Sequence, residues 1–318
     1  MNKIETISII GLGAIGSAYA SQMVRFIPLE NIRVIADGER AERYITEGVN
    51  INGSNFRFTV AYPEEKCEPA DLLIFAVKFN QLEEAVKQVR NHIGPDTIII
   101  SLLNGITSEE IIGAEYGTEK VLYALALGID AVRLGSSVNF KNLGIIPFGE
   151  KKNIPGSYSD KVKRLQEFFE RTHINYSIPE DMIRTLWWKF MMNVGINQTS
   201  AVLKASYGVF QNVEEARSIM ISAMEEVIRI AEEASITLTQ EDIEEMIAII
   251  NKLSPTGKTS MLQDVEAGRQ TEVNIFAGTV IELSKKYGVP APVNKMLFDI
   301  IRAEEEMFKY YRRNSLTR

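Results

Sequence analysis

The first part of the chain alternates short apolar runs with stretches in which apolar residues return every three or four positions. Ile7-Ser8-Ile9-Ile10 leads through a glycine turn into helical spacing over 14–25, and Ile32-Arg33-Val34-Ile35-Ala36 follows. The strand pattern recurs over 72–77, 97–102 and 121–127, with helical spacing over 81–91 and 161–171. Apolar strands joined through helices predict a parallel sheet with helices on both faces. From about residue 179 the strand signals stop. Segments 179–205, 212–234, 240–253, 258–286 and 293–312 read as helices, separated by breakers such as Ser254-Pro255-Thr256-Gly257 and Gly288-Val289-Pro290-Ala291-Pro292. The pattern predicts two domains: an α/β doubly wound parallel sheet over 1–178, then an all-α domain over 179–318. Neither half contains a tandem repeat or low-complexity segment, and no flexible linker is expected between them.

Length and composition agree with two domains. At 318 residues the chain exceeds the size at which a single core usually stays undivided. With 45% hydrophobic and 24% charged residues it has enough apolar side chains for a sizeable core, which excludes disorder. A formal charge of -7 without a long basic run excludes nucleic acid as a partner. Cys67, the single cysteine, rules out an internal disulfide and fits a reducing, cytoplasmic setting. Two histidines cannot make a histidine-rich metal site, and no metal is expected. No apolar run approaches the ~18 residues of a membrane span, and Ile7–Ile10 lacks the basic leader of a signal peptide.

Gly11-Leu12-Gly13-Ala14-Ile15-Gly16 joins the first strand to the first helix. In that context the first glycine allows a tight turn, the second lets the backbone approach a pyrophosphate, and the third lets helix and strand pack closely. The helix start then receives the phosphates. Asp37 lies 21 residues beyond Gly16, where an acid accepts hydrogen bonds from the ribose 2'-hydroxyl of NAD. Arg40 and Arg43 follow at once, and their guanidinium groups suit the 2'-phosphate of NADP or, equally, solvent at the start of a surface helix. Both cofactors stay open on these residues.

The second half carries an unusual polar set. Lys189, Asn193 and Asn197 repeat every four residues in an otherwise apolar segment, so on a helix they form one stripe able to line a cleft. A core has no use for such groups unless each is hydrogen-bonded or engaged with a ligand. Ser260 and Glu272 stand twelve residues apart, about 18 Å along a straight helix. The spacing therefore predicts Ser260 at a helix start, or a bend near Gly268. Glu272 also stands three residues after Arg269, the spacing of a surface ion pair.

The glycine triplet, Val77-Lys78, Leu103-Asn104-Gly105, Lys189 with Asn193 and Asn197, and Ser260 with Glu272 fall in the order and spacing of the 2-dehydropantoate 2-reductase (ketopantoate reductase) family. The resemblance extends over essentially the whole chain. It implies a Rossmann domain followed by a helical domain similar to the C-terminal domain of 6-phosphogluconate dehydrogenase. It further implies Lys189 as the proton donor to the carbonyl oxygen, with Glu272 contacting the substrate hydroxyl and the cofactor. Asn104, Asn193, Asn197 and Ser260 are implied to hold substrate, and Asn104 and Lys78 to approach the cofactor. A lysine flanked by Trp187, Trp188, Phe190 and Met191 is expected to be partly desolvated, which lowers its pKa toward working pH. The chain departs from the family at Asp37, where a basic residue is common, and at Gly257-Lys258-Thr259, where some members offer an asparagine.

The reading is reduction of 2-dehydropantoate to (R)-pantoate with NADP(H), on a small 2-oxo acid substrate, by a monomer or homodimer. One alternative is an NAD(H)-linked D-2-hydroxyacid dehydrogenase of the same family acting on another branched or aromatic 2-oxo acid. Another is a non-catalytic NAD(P)-binding regulator. His92 and His173 lie away from every motif and are assigned no chemistry, which disfavours a histidine-dependent hydroxyacyl dehydrogenase.

Overall fold

The computed structural model describes residues 3–315. Residue contacts divide the chain into two compact units, Met1–Thr185 and Leu186–Arg318. The division falls past residue 178, inside one continuous helix.

In unit 1 the elements run β1 (Ile7–Ile10), α1 (Ala14–Met23), β2 (Ile32–Ile35), α2 (Gly38–Thr46), β3 (Val49–Ile51), β4 (Ser54–Phe56) and β5 (Thr59–Ala61). They continue as β6 (Leu72–Phe75), α3 (Leu82–Gln88), β7 (Ile98–Ser101), α4 (Ser108–Tyr116), β8 (Val121–Ala124), β9 (Val132–Leu134), β10 (Ser137–Asn139), β11 (Ile146–Gly149), α5 (Asp160–Thr172) and β12 (Tyr176–Ser177). The main sheet has the order β12-β11-β8-β7-β6-β1-β2-β5. Its pairings are parallel from β8 to β5, β11 joins β8 antiparallel, and β12 runs parallel to β11. A smaller sheet, β4-β3-β10-β9, was not expected from the pattern; its strands are only three residues each, too short for an alternation to register.

Why the strands read as unbroken apolar runs is visible in their packing. Successive residues serve opposite faces: Ile7 and Ile9 join one core with Tyr19 and Met23 of α1 and Phe168 and Phe169 of α5. Ile10 joins a second core with Leu82 of α3 and Ile112 of α4. The same split places Leu72 and Ile74 in the first core and Leu73 and Phe75 in the second. Each fully buried side chain of this size contributes roughly 1.5–3 kcal/mol, so a register slip by one residue is strongly opposed.

Unit 2 is helical: α6 (Met182–Leu203), whose first turn belongs to unit 1, then α7 (Tyr207–Asn212), α8 (Glu214–Glu233), α9 (Gln240–Lys252), α10 (Ser260–Glu266), α11 (Ala277–Tyr287) and α12 (Pro292–Ser315). The single helix expected over 258–286 is two. Gly268 (φ +61°) ends α10, its N–H reaching the Val265 carbonyl while Arg269 N–H reaches Asp264, and the Phe308 ring occupies the space a Cβ would need. A 3-10 turn over Val273–Ile275 then leads into α11. At Gly195 the absent side chain lets α6 lie close on α8, since a Cβ there would stand 2.4 Å from the Met224 methyl. Among the described residues no helix is long and apolar enough to cross a membrane.

Candidate active site

The unit 1 candidates share one rim. Ile10 is level with Ile35 and Phe75, and Phe75 with Ser101, so the parallel strands end together. Gly11, Asp37, Lys78 and Asn104 all lie within three residues beyond those ends. The chain leaves β1 outward to β2 and returns to β6 on its other side, so the rim contains the switch point where open α/β sheets bind ligands.

The three glycines differ in what demands them. Gly11 has φ +100°, and a Cβ would strike the Ala76–Val77 backbone at 2.7 Å; at Gly16 it would stand 2.0 Å from the Gly11 carbonyl oxygen. Both are required by the protein's own packing. At Gly13, the N-cap of α1, φ is -72° and a Cβ would meet only the Ala76 oxygen at 3.7 Å, an ordinary contact. The chain itself therefore leaves room at Gly13, which fits a dinucleotide pyrophosphate lying against the loop. The first turn of α1 carries no acidic residue to repel one.

Asp37 is exposed at the N-cap of α2, and its carboxylate accepts a hydrogen bond from Gln88 Nε2 at 2.8 Å. Arg40 is half-buried one turn into α2, and the Arg43 guanidinium lies over the Tyr44 ring at 5.7 Å. Lys78 is exposed, and Asn104 half-buried before α4. Gln88, on α3, was not singled out from sequence; nothing in a helical glutamine announces that it holds an acid at a strand end.

In unit 2 the polar stripe exists and is buried: Lys189 is 8% exposed, Asn193 7% and Asn197 7%. Neither Asn193 nor Asn197 has a side-chain hydrogen-bond partner among the described residues, although buried amides are nearly always satisfied. The next residue, Gln198, sits off the stripe and locks the helix. Its Nε2 donates to Val194 O (2.7 Å) and Asn294 Oδ1 (3.1 Å), and its Oε1 accepts from Ala277 N at the start of α11 (2.9 Å). Asn294 donates in turn to Glu226, whose buried carboxylate also accepts Val293 N and Asn294 N at the start of α12. The network joins α6, α8, α11 and α12 and sets the rotation of α6, hence the direction of the stripe.

Ser260 is exposed as the first residue of α10. Its neighbour Thr259 is buried, caps α10 by accepting from Leu262 N, and meets Ser200 Oγ at 2.5 Å; Ser200 in turn donates to Asn197 O. The start of α10 is thus pinned about one turn from Asn197. Thr259 was passed over in the sequence, yet a threonine just ahead of a helix start is a preferred N-cap residue. Glu272 is half-buried ahead of the 3-10 turn, beside Thr271, whose N–H and hydroxyl both bind Glu305 (2.8 and 2.7 Å). The Arg269 guanidinium reaches Asp264 at 2.8 Å. Each unit thus assembles its own share of the candidates, the dinucleotide rim in one and the lysine–asparagine stripe in the other.

The histidines lie elsewhere. Buried His92 stands 3.1 Å from Cys67 Sγ and 3.2 Å from Tyr62 O, and its burial pushes its pKa down. His173 ends α5 in a left-handed conformation. Among the described residues no group of three or more His, Cys, Asp or Glu is placed to hold a metal ion.

Fold and rim together define the class: a two-unit protein whose first unit is a Rossmann sheet with a glycine loop at its switch point. Residues 7–153 match the family model described as ketopantoate reductase PanE/ApbA, and residues 181–305 match the model of its C-terminal part. The chain belongs to the ketopantoate reductase family. Among similar proteins, the 2-dehydropantoate 2-reductase of Pyrococcus horikoshii is 28% identical over 308 residues, covering 95% of this chain and 98% of that protein. The enzyme of the same name from Aquifex aeolicus is 27% identical over 316 residues, 93% of this chain and 96% of its own. The fold is shared with a D-mandelate dehydrogenase solved with NADH and anilino(oxo)acetate (TM-score 0.83, 22% identity, 96% and 99% coverage). It is shared too with a dimeric ketopantoate reductase from Staphylococcus aureus (TM-score 0.80, 18% identity, 95% and 99% coverage).

Proposed function

We propose that this protein reduces 2-dehydropantoate to (R)-pantoate with NADPH. The observation that carries the reading is the buried stripe on one face of α6: Lys189 in line with Asn193 and Asn197, two amides with no side-chain partner among the described residues. Polar groups gathered on one face of an otherwise apolar helix suit a polar ligand, and a 2-oxo acid offers a carbonyl and a carboxylate for the purpose. A bound nicotinamide dinucleotide would supply a hydride to the carbonyl carbon. Negative charge then grows on the oxygen, and Lys189 Nζ delivers the proton while its cationic form stabilises that charge. Asn193 and Asn197 hold the substrate oxygens in a fixed orientation. Glu272 accepts the hydroxyl that distinguishes 2-dehydropantoate from simpler 2-oxo acids, and Ser260 serves the carboxylate. Gly11–Gly16 cradle the pyrophosphate, with Lys78 and Asn104 beside the cofactor. Arg40 receives the 2'-phosphate.

A second reading is favoured by Asp37. Its carboxylate is exposed at the end of β2 and steadied by Gln88, an arrangement suited to a ribose 2'-hydroxyl and repelling a phosphate. In that case the enzyme is an NADH-linked D-2-hydroxyacid dehydrogenase. Initial rates with NADPH and NADH, each against 2-dehydropantoate, phenylpyruvate and 2-oxoisocaproate, decide the matter. The first reading requires the highest kcat/KM for the NADPH and 2-dehydropantoate pair. Faster turnover of the other acids with NADH selects the second, and no turnover of any pair refutes both.

A further inference from the structure

Resting on the dinucleotide reading above, the geometry points to a residue outside every motif, Arg133, as a phosphate-binding group of the cofactor site. Arg133 lies on β9 in the small sheet, far along the chain from the glycine loop. Its Nη1 nevertheless donates to the Leu12 carbonyl at 2.7 Å, between the first two glycines, and its Nε donates to Gly135 O at 3.0 Å. Arg133 is half-buried, and among the described residues no carboxylate pairs with it. Backbone carbonyls fix its position without cancelling its charge.

A cation removed in part from water normally finds an anion. The adjoining structure suits an anion: a Cβ at Gly13 would meet nothing closer than 3.7 Å, and α1 begins there with its N–H groups and no acid in its first turn. A guanidinium has five N–H donors, of which two are engaged, so the remaining ones are available for phosphate oxygens. Arg133 thereby performs two tasks at once, tying the loop to the small sheet and supplying the positive charge that the glycine loop itself lacks.

The test is calorimetric titration of ADP-ribose and of NADPH and NADH into wild type, Arg133→Gln and Arg133→Lys, at several salt concentrations. Gln keeps an N–H donor on a shorter side chain but has no charge. The expected result is a Kd for ADP-ribose raised about 10- to 100-fold in Arg133→Gln, a flatter dependence of log Kd on log salt, and partial recovery in Arg133→Lys. An unchanged Kd overturns the assignment. So does a weakened Kd that keeps the wild-type salt slope, because the loss then comes from loop displacement alone. Should the variants fail to fold, phenylglyoxal modification of wild type with and without ADP-ribose replaces them: protection of the Arg133 peptide supports the role, and equal labelling overturns it. Wild-type protein that binds neither dinucleotide nor ADP-ribose refutes the proposed function itself, a result distinct from failure at Arg133.

Discussion

The two glycines at positions 13 and 16 are chemically identical and should respond oppositely to one added methyl group. At Gly16 a Cβ would lie 2.0 Å from a backbone oxygen, so strand and helix must separate by at least about 1 Å. Overpacking against backbone costs about 1–3 kcal/mol, and nothing flexible is there to yield. At Gly13 the backbone is in a conformation open to any residue and the nearest atom is 3.7 Å away. Alanine there loses a little as an N-cap and gains a little by restricting the unfolded chain, so stability should change by less than about 1 kcal/mol. Under the dinucleotide reading, its methyl group takes the space proposed for the pyrophosphate. Losing one charge-assisted hydrogen bond, about 1.5–3 kcal/mol, raises Kd roughly 10- to 150-fold. Urea unfolding and fluorescence titration of NADPH and NADH on both variants separate the two effects. Gly13→Ala with wild-type affinity, or Gly16→Ala with a wild-type midpoint, would refute the division of roles.

Lys189→Ala should lower kcat for the best 2-oxo acid by about 100- to 10,000-fold while cofactor Kd stays unchanged; retained turnover removes the lysine from the chemistry. Glu226→Ala leaves three donors at 2.7–2.9 Å, two of them buried, without their acceptor and should destabilise the helical unit by about 3–5 kcal/mol in urea unfolding; a loss below about 1 kcal/mol means that water replaces the carboxylate. His92, held by burial below its ordinary pKa of 6.5, takes up its proton more readily in the unfolded chain. Its stabilising contribution is present above pH 6.5 and is lost as pH falls below that value, so His92→Gln should flatten the drop in melting temperature between about pH 7 and about pH 5. Parallel curves for the two proteins would contradict this.

The parallel sheet was legible because its strands are apolar on both faces and too short to be anything else between helices. The shared rim of the candidate residues was legible through spacing, since Gly11, Asp37, Lys78 and Asn104 each follow a strand end. The break near Gly268 was legible only as one of two readings beside a helix start at Ser260: Ser260 to Tyr287 keeps helical spacing through the interruption, and the Phe308 ring that settles the matter comes from forty residues away. Gln198, Glu226 and Asn294 were invisible for a related reason. Each is an ordinary helical polar residue alone, and only tertiary contact joins them into the support that aims the stripe. Arg133 is the extreme case, reaching Leu12 from a strand that no alternation revealed.

The border strands of both sheets carry a consequence for handling the protein. β12 spans two residues, and β5, β4 and β9 span three each. Margins so brief offer an incoming chain almost no ladder on which to zip, so concentrated solutions should resist fibrillar polymerisation even where the neighbouring surface is greasy.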